Sequence, residues 1–245
     1  MTQAIVDKLK DDTNYYGKFG QQFLSYSNIG TLLKNPRDFR KPLEKNSNLL
    51  KGSYFHHAML EPEKIADYVI IDSSTRATKV YKEACMELGA DILLLQKEAD
   101  EINKMVDNAK KNFEFCSEIY TDGNQFEVPA IKEVFGVMWK GKADIICADK
   151  IIDIKTSGRI DDFPRSAKTY NYDAQAWLYN QLFGLPMEFY VIEKETSRME
   201  TFDCSDSFLD GGKEKVKRAL EVYNMFFGDN PTEDIEQYVP RRTLY

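Results

Sequence analysis

The sequence predicts an α/β fold in which a central mixed sheet is flanked by helices, and three observations carry that expectation. Apolar runs of strand length, rich in β-branched residues, cluster between Val134 and Thr156. Stretches with helical apolar spacing lie on either side of them. Two more short apolar runs separate the last two helical stretches, so strands and helices alternate.

Taken in order, a helix is expected from Asn28 to Leu33, with Ser27 as its cap and Asn35-Pro36 as its stop. A second runs from Ser53 to Leu60 and closes at Glu61-Pro62. Tyr68 to Ile71 reads as a short buried strand. Arg76 to Leu88 and Glu98 to Cys116 read as helices; Ile102, Met105, Ala109, Asn112, Phe113 and Cys116 form the stripe of the second. Val134 to Met138, Lys142 to Cys147 and Ile151 to Thr156 read as strands divided by turn residues. A long helix from Pro164 to Phe183 follows, then strands Glu188 to Glu193 and Met199 to Cys204. A last helix spans Ser207 to Phe227 and stops at Gly228 and Pro231. No linker divides the chain, so one domain over residues 1–245 is expected, with 1–50 as a helical lead-in and 228–245 as a loose tail.

Composition narrows the class. Of 245 residues, 42% are apolar and 30% charged, enough to bury a core. Lys+Arg total 33 against Asp+Glu 40, a net charge of -7, with a pI near 5.1. A uniformly basic coat for nucleic acid is excluded, whereas a local basic groove is not. The longest aliphatic run, Ile92 to Leu95, is far short of a membrane span, and Met1 to Asp12 lacks an apolar signal core. Cys85, Cys116, Cys147 and Cys204 make no CxxC pair. Reduced thiols in a cytoplasm are expected, without zinc or an iron–sulfur cluster. P-loop, HExxH and GxSxG motifs are missing, which argues against ATP-driven, zinc-protease or α/β-hydrolase chemistry.

The informative stretch joins two apolar strands interrupted by Asp144, Asp153 and Lys155. Asp153 and Lys155 are two apart and share a strand face. A hairpin turning at Ala148-Asp149 pairs residues whose numbers sum to 297, which sets Asp144 opposite Asp153. Another loop length would break this register. In it, Ile145, Cys147, Ile152 and Ile154 face the other side. Opposed carboxylates repel and raise one another's pKa, a conflict that a divalent cation removes. Hard oxygen donors suit Mg²⁺ or Mn²⁺, one or two ions, which polarise a phosphodiester and lower the pKa of bound water. Lys155 can hold the scissile phosphate and orient or deprotonate that water. A surface hairpin with ordinary strand-edge charges is the alternative.

Asp144 followed by Asp153-Ile154-Lys155 resembles the PD-(D/E)XK nuclease signature, with Ala143 where its proline stands. Gly52 to Pro62, with His56 at the fourth position after Gly52 and ending Leu60-Glu61-Pro62, resembles the GxxxH helix of RecB-like nucleases. It has the longer form of the exonuclease VIII (RecE-like) group of phage exonucleases. Gln175 and Tyr179 resemble the QxxxY motif of RecB-like and lambda-exonuclease-like enzymes, and Tyr26 to Pro36 resembles the opening helix of the RecE-like group. The resemblance spans Ser25 to Tyr179 in order.

That resemblance implies a restriction-endonuclease-like core and a metal-dependent deoxyribonuclease. The implied activity is a 5′–3′ exonuclease on linear duplex DNA in phage-type recombination. His56, Asp144, Asp153 and the Ile154 carbonyl would ligate the metal, and Lys155 would be the catalytic lysine. His57 points about 100° away on a helix and is expected to pack or cap. Gln175 and Tyr179, one turn apart, would support the site and touch the DNA backbone. Glu133 would be the acidic residue on the preceding strand, with Glu127 as the alternative. Lys140, Lys142, Arg159, Arg165 and Lys168 flank the hairpin and could neutralise phosphates, and Arg37, Arg40 and Lys41 lie near the first motif. DNA, a single-strand annealing protein and further copies closing a homo-oligomeric ring are the implied partners. A nuclease fold that binds without cutting, and a structure-specific endonuclease, are the rival readings. An iron–sulfur RecB-like enzyme is disfavoured by the scattered cysteines.

Overall fold

The structure, a computed structural model, describes residues 2–42 and 46–239. The lead-in comprises α1 (Thr2–Leu9), α2 (Asp12–Tyr16) and β1 (Leu24–Ser25). The next helix, α3 (Tyr26–Lys34), starts two residues before the expected Asn28. The reason is Asn28 itself, whose side-chain oxygen accepts the Ser25 amide at 2.8 Å and makes Ser25, not Ser27, the cap. Helix α4 (Ser47–Leu60) likewise starts six residues early, because the Asn46 side chain accepts the Asn48 and Leu49 amides, both at 3.0 Å. The expected strand at residues 68–71 shrinks to β2 (Ile70–Ile71), half-buried, which pairs in parallel with β3 (Leu94–Leu95). Between them lies α5 (Lys79–Leu88), capped by Thr78 and ended by left-handed Gly89.

Two expected long helices are each broken. Residues 98–116 form α6 (Gln96–Lys111) and α7 (Phe113–Ile119), since the Asn112 side chain accepts the Phe115 amide at 3.0 Å and opens a new helix. Phe113, expected on the apolar stripe, is 85% exposed; Ala99, Ile102, Met105, Val106 and Ala109 make the buried face. Residues 164–183 form α8 (Phe163–Thr169) and α9 (Tyr172–Phe183), separated by Asn171 in the left-handed conformation, φ 61°.

The expected strand Val134 to Met138 is a hairpin tip. It joins β4 (Gln125–Val134) to β5 (Val137–Ile146). Phe135 and Gly136 both have positive φ, the geometry of a two-residue turn matched to strand twist. Beyond it come β6 (Ile151–Ser157), β7 (Met187–Glu193), β8 (Met199–Asp203) and α10 (Asp206–Phe226). Ile145 pairs with Ile152 and Ile146 with Ile151, the register in which residue numbers sum to 297.

The sheet is mixed and flanked by helices, as the sequence predicts. Its order is β1-β5-β6-β7-β8, with β4 also on β5. β4 pairs along the whole length of β5, so β6 and β1 must share the other edge, meeting it at residues 145–146 and 139–140. β6 and β7 are parallel and joined through α8 and α9. One face buries Trp139, Phe163, Leu178, Phe189 and Val216 beneath α3, α9 and α10. The other buries Phe55, Ile102, Ile145, Ile152 and Ile154 beneath α4, α6 and α7. The segment after Gly228, expected to hang loose, is fastened. Arg37 Nη2 donates to the Glu236 and Tyr238 carbonyls, both at 2.9 Å, and the Tyr238 ring meets Phe226 at 4.9 Å. Residues 240–245 lie outside the described residues. No helix among the described residues is long and apolar enough to cross a membrane.

Candidate metal centre

Strand β6 carries a charge where its neighbours demand none. Ile151, Ile152 and Ile154 are fully buried, and Asp153 between them is 1% exposed. A buried carboxylate survives only with partners, and Asp153 has two. Lys155 Nζ stands 2.5 Å from its Oδ2, and Gln175 Nε2 donates to its Oδ1 at 2.5 Å. Gln175 reaches it from α9, which packs across one face of the sheet.

Asp144 meets the same patch from β5. The ladder between β5 and β6 ends at Ile145 and Ile152, and beyond it the Ile154 amide donates to Asp144 Oδ2 at 2.9 Å. Amide and carbonyl of one strand residue point the same way, so the Ile154 carbonyl also faces this gap. From α4, His56 Nδ1 lies 3.4 Å from Asp144 Oδ2. The β4–β5 register, in which residue numbers sum to 271, brings Glu127 opposite Asp144. Glu127 drops out of the ladder with φ 51°. His56, Glu127 and Asp144 each offer a ligand atom, all within 4.8 Å of one another.

Electrostatics expose the cost of this convergence. Burial first, then Asp144, push Glu127 up to about 8. Burial raises Asp153 to about 6 against the pull of Lys155, and it also raises Asp144. Burial and Lys155 together depress His56 to about 4, which leaves a neutral imidazole with a free lone pair at pH 7. Burial depresses Lys155, but Asp153 and Asp144 outweigh it and hold the ammonium above its usual range. Asp153 Oδ2 meets only the Lys155 ammonium, and Gln175 Oε1 is buried and accepts no hydrogen bond. Three carboxylates that resist ionising together and one neutral imidazole are a donor set that fits a divalent cation.

Around this centre the sequence-derived residues divide. Tyr179 is buried, and its hydroxyl donates to the Lys142 carbonyl at 3.0 Å and accepts the Lys142 amide at 3.3 Å, so it fixes β5 from behind. Arg159, Arg165 and Lys168 are exposed beyond the end of β6, with Arg159 3.7 Å from Asp162. Three residues are not where the sequence reading put them. Glu133 is exposed and pairs with Met138, six residues along β5 from Asp144, roughly 20 Å of strand. Lys140 is buried, with its ammonium on the Tyr15 carbonyl and 4.0 Å from the centre of the Tyr15 ring. Lys142 is tied to Asp12, its side chain 7% exposed. Both lysines hold the lead-in against the sheet and are withdrawn from any phosphate.

His57 is engaged elsewhere, with Nδ1 2.9 Å from the Tyr68 hydroxyl and Nε2 3.8 Å from Glu61. Tyr172, absent from the sequence-derived set, lies with its ring 4.9 Å from Lys155 Nζ. Its signal is an aromatic residue one helical turn before Gln175 on the same face. The signal for Glu127 is the turn at Phe135-Gly136, which fixes the 271 register once it is recognised.

The crystal structure of a "Putative exonuclease" from Eubacterium rectale superposes with a TM-score of 0.63 at 17% identity, covering 96% of each chain. A phage-related exonuclease from Haemophilus somnus 129PT matches at 17% identity over 70% of this chain and 92% of its own, with a TM-score of 0.34. No curated protein matches significantly. The family described as "PDDEXK-like domain of unknown function (DUF3799)" matches residues 27–230, a span that contains His56, Glu127, Asp144, Asp153, Lys155 and Gln175; the chain therefore belongs to that PDDEXK-like family.

Proposed function

We propose that the protein is a divalent-cation-dependent deoxyribonuclease, an exonuclease of the RecE-like kind that digests linear duplex DNA 5′ to 3′. The observation that supports it is the meeting of His56, Glu127, Asp144, Asp153 and Lys155 around the middle of β6. His56, Glu127, Asp144, Asp153 and the Ile154 carbonyl are the residues that would hold Mg²⁺ or Mn²⁺. When bound there, such an ion would supply Lewis-acid chemistry, polarising the phosphodiester, lowering the pKa of a water and neutralising the departing oxygen.

The chain's own groups do the rest. Lys155, kept protonated by Asp153 and Asp144, binds a non-bridging phosphate oxygen and orients the attacking water as a cation. Gln175 fixes the Asp153 carboxylate, and Tyr179 fixes the strand that carries Asp144. Neutral His56 donates its lone pair. Arg159, Arg165 and Lys168 are the exposed cations available to the backbone of the substrate. If copies close into a ring, these three would line its channel, since Lys140 and Lys142 are spent internally. A monomer by light scattering would remove the ring alone.

The test is a digest of end-labelled linear duplex beside covalently closed circles, with Mg²⁺, with Mn²⁺ and with EDTA. Cutting of the linear duplex from the 5′ end, spared circles and full loss in EDTA are expected. Robust cutting in EDTA, or no cutting with either ion, overturns the reading; efficient nicking of circles replaces the exonuclease with an endonuclease.

A further inference from the structure

A cavity of about 500 Å³ opens between α4, α6 and the end of the sheet. Its size lies within the range of small-molecule sites, about 300–1,000 Å³. The chain itself connects it to the carboxylate cluster. Phe55, which precedes His56, and Thr156, which follows Lys155, both line it. Neighbouring strand residues point to opposite faces, so Lys155 and the cavity occupy the two sides of one strand end.

Phe55, Ile102 and Met105 make the apolar part of its lining, and Lys51, Lys104 and Lys194 are its cations. Burial and then Lys51 depress the Lys194 ammonium, so the two cations crowd one another. Glu98 also reaches the cavity, where Arg76 holds it with hydrogen bonds of 3.0 and 2.5 Å and Lys51 Nζ stands 3.8 Å from its Oε1, so Lys51 is shared with a carboxylate while Lys194 is not tied to Glu98; Glu195 lines the cavity as well. Glu101 stays at the outer rim, 65% exposed and 3.8 Å from Lys97. Crowded cations beside an apolar wall meet both needs of a nucleotide, an anion site and a surface for a base. At Gly52 the wall is open, since a Cβ there would meet no atom within 4 Å. Glycine weakens a helix interior relative to alanine, and here it keeps the cavity clear.

We propose that this cavity is a nucleoside-phosphate subsite, in which Lys51 and Lys194 take the phosphate and Phe55, Ile102 and Met105 face the base. The choice of ligand rests on the nuclease reading. Two sources share the chemistry: a nucleotide of the strand beside the cut bond, and a free mononucleotide released by cutting.

The probes are dAMP and single-stranded pentadeoxyadenylate, each titrated calorimetrically into the full chain in EDTA. Wild type should bind at least one of them saturably. Gly52→Leu, which fills the cavity, and Lys194→Glu, which reverses a rim charge, should each weaken that binding at least tenfold while the melting temperature holds. Loss confined to the oligonucleotide assigns the site to the strand, and loss of dAMP assigns it to the free product. No saturable binding of either probe, or equal binding by Lys194→Glu and wild type, overturns the subsite, even where Gly52→Leu fails to fold. Cavity-dependent binding by a chain that cuts no DNA would remove the nuclease reading and leave the subsite. Cutting without binding of either probe would do the reverse.

Discussion

Without metal, the protein should lose stability as pH rises from 6.5 to 8, and Glu127→Gln should abolish that loss. A carboxyl whose folded pKa stands above its unfolded value binds more protons when folded. Its contribution is therefore full at low pH and disappears as pH climbs through the folded pKa. Glu127, moved from 4.5 to about 8 by burial and by Asp144, spans the whole interval. Asp153 has completed its own loss by about pH 6. His56, depressed from 6.5 to about 4, acts with the opposite sign, and its gain tapers off just above pH 6.5, where it offsets only a small part of the Glu127 loss. Lys140, depressed from 10.5 to about 8, gains only above the interval. The Glu127–Asp144 pair, titrating as a unit, thus controls the window. Its 1.5 pH units correspond to about 2 kcal/mol, or roughly 4–8 °C of melting temperature for a chain this size. Circular dichroism melts in EDTA read it directly, and saturating Mn²⁺ should cancel the slope by binding only the folded site. A flat or rising melting temperature in EDTA, or an unchanged slope in Glu127→Gln, would refute the assignment of Glu127 to the cluster.

Asp153→Asn and Lys155→Ala should each lower cutting of linear duplex by roughly a hundred-fold or more, with folding retained; either variant cutting at the wild-type rate in a gel assay counts against the centre. His56→Ala should remove cutting, whereas His57→Ala should change it only a few-fold and lose about 1 kcal/mol with its Tyr68 hydrogen bond; equal losses in the digest would mean that the wrong histidine is assigned. Tyr179→Phe strands the Lys142 amide and carbonyl and should destabilise the fold by about 1–3 kcal/mol, read from urea melts; a neutral change would show that the hydroxyl is not holding β5.

The class of fold, the order of its elements and the register of the hairpin bearing Asp144 and Asp153 were legible in the residues alone. These depend on local pattern. Strand alternation, turn residues and helix stops act over a few residues, and a short loop fixes pairing by counting. Helix breaks at Asn112 and Asn171 were less legible, because an asparagine in an apolar stripe differs from a cap only in where its side chain points. The hairpin tip at Phe135-Gly136 was hidden by its apolar flanks, and with it went the choice between Glu127 and Glu133. Tertiary structure decided what depends on distance between remote segments. It spent Lys140 and Lys142 on Tyr15 and Asp12, more than a hundred residues away. It also placed Gln175 on Asp153, turned Glu127 toward Asp144, and opened the cavity behind Lys155. A charge in a sequence carries no record of its partner; burial and Coulomb energy assign one only when the chain has closed around it.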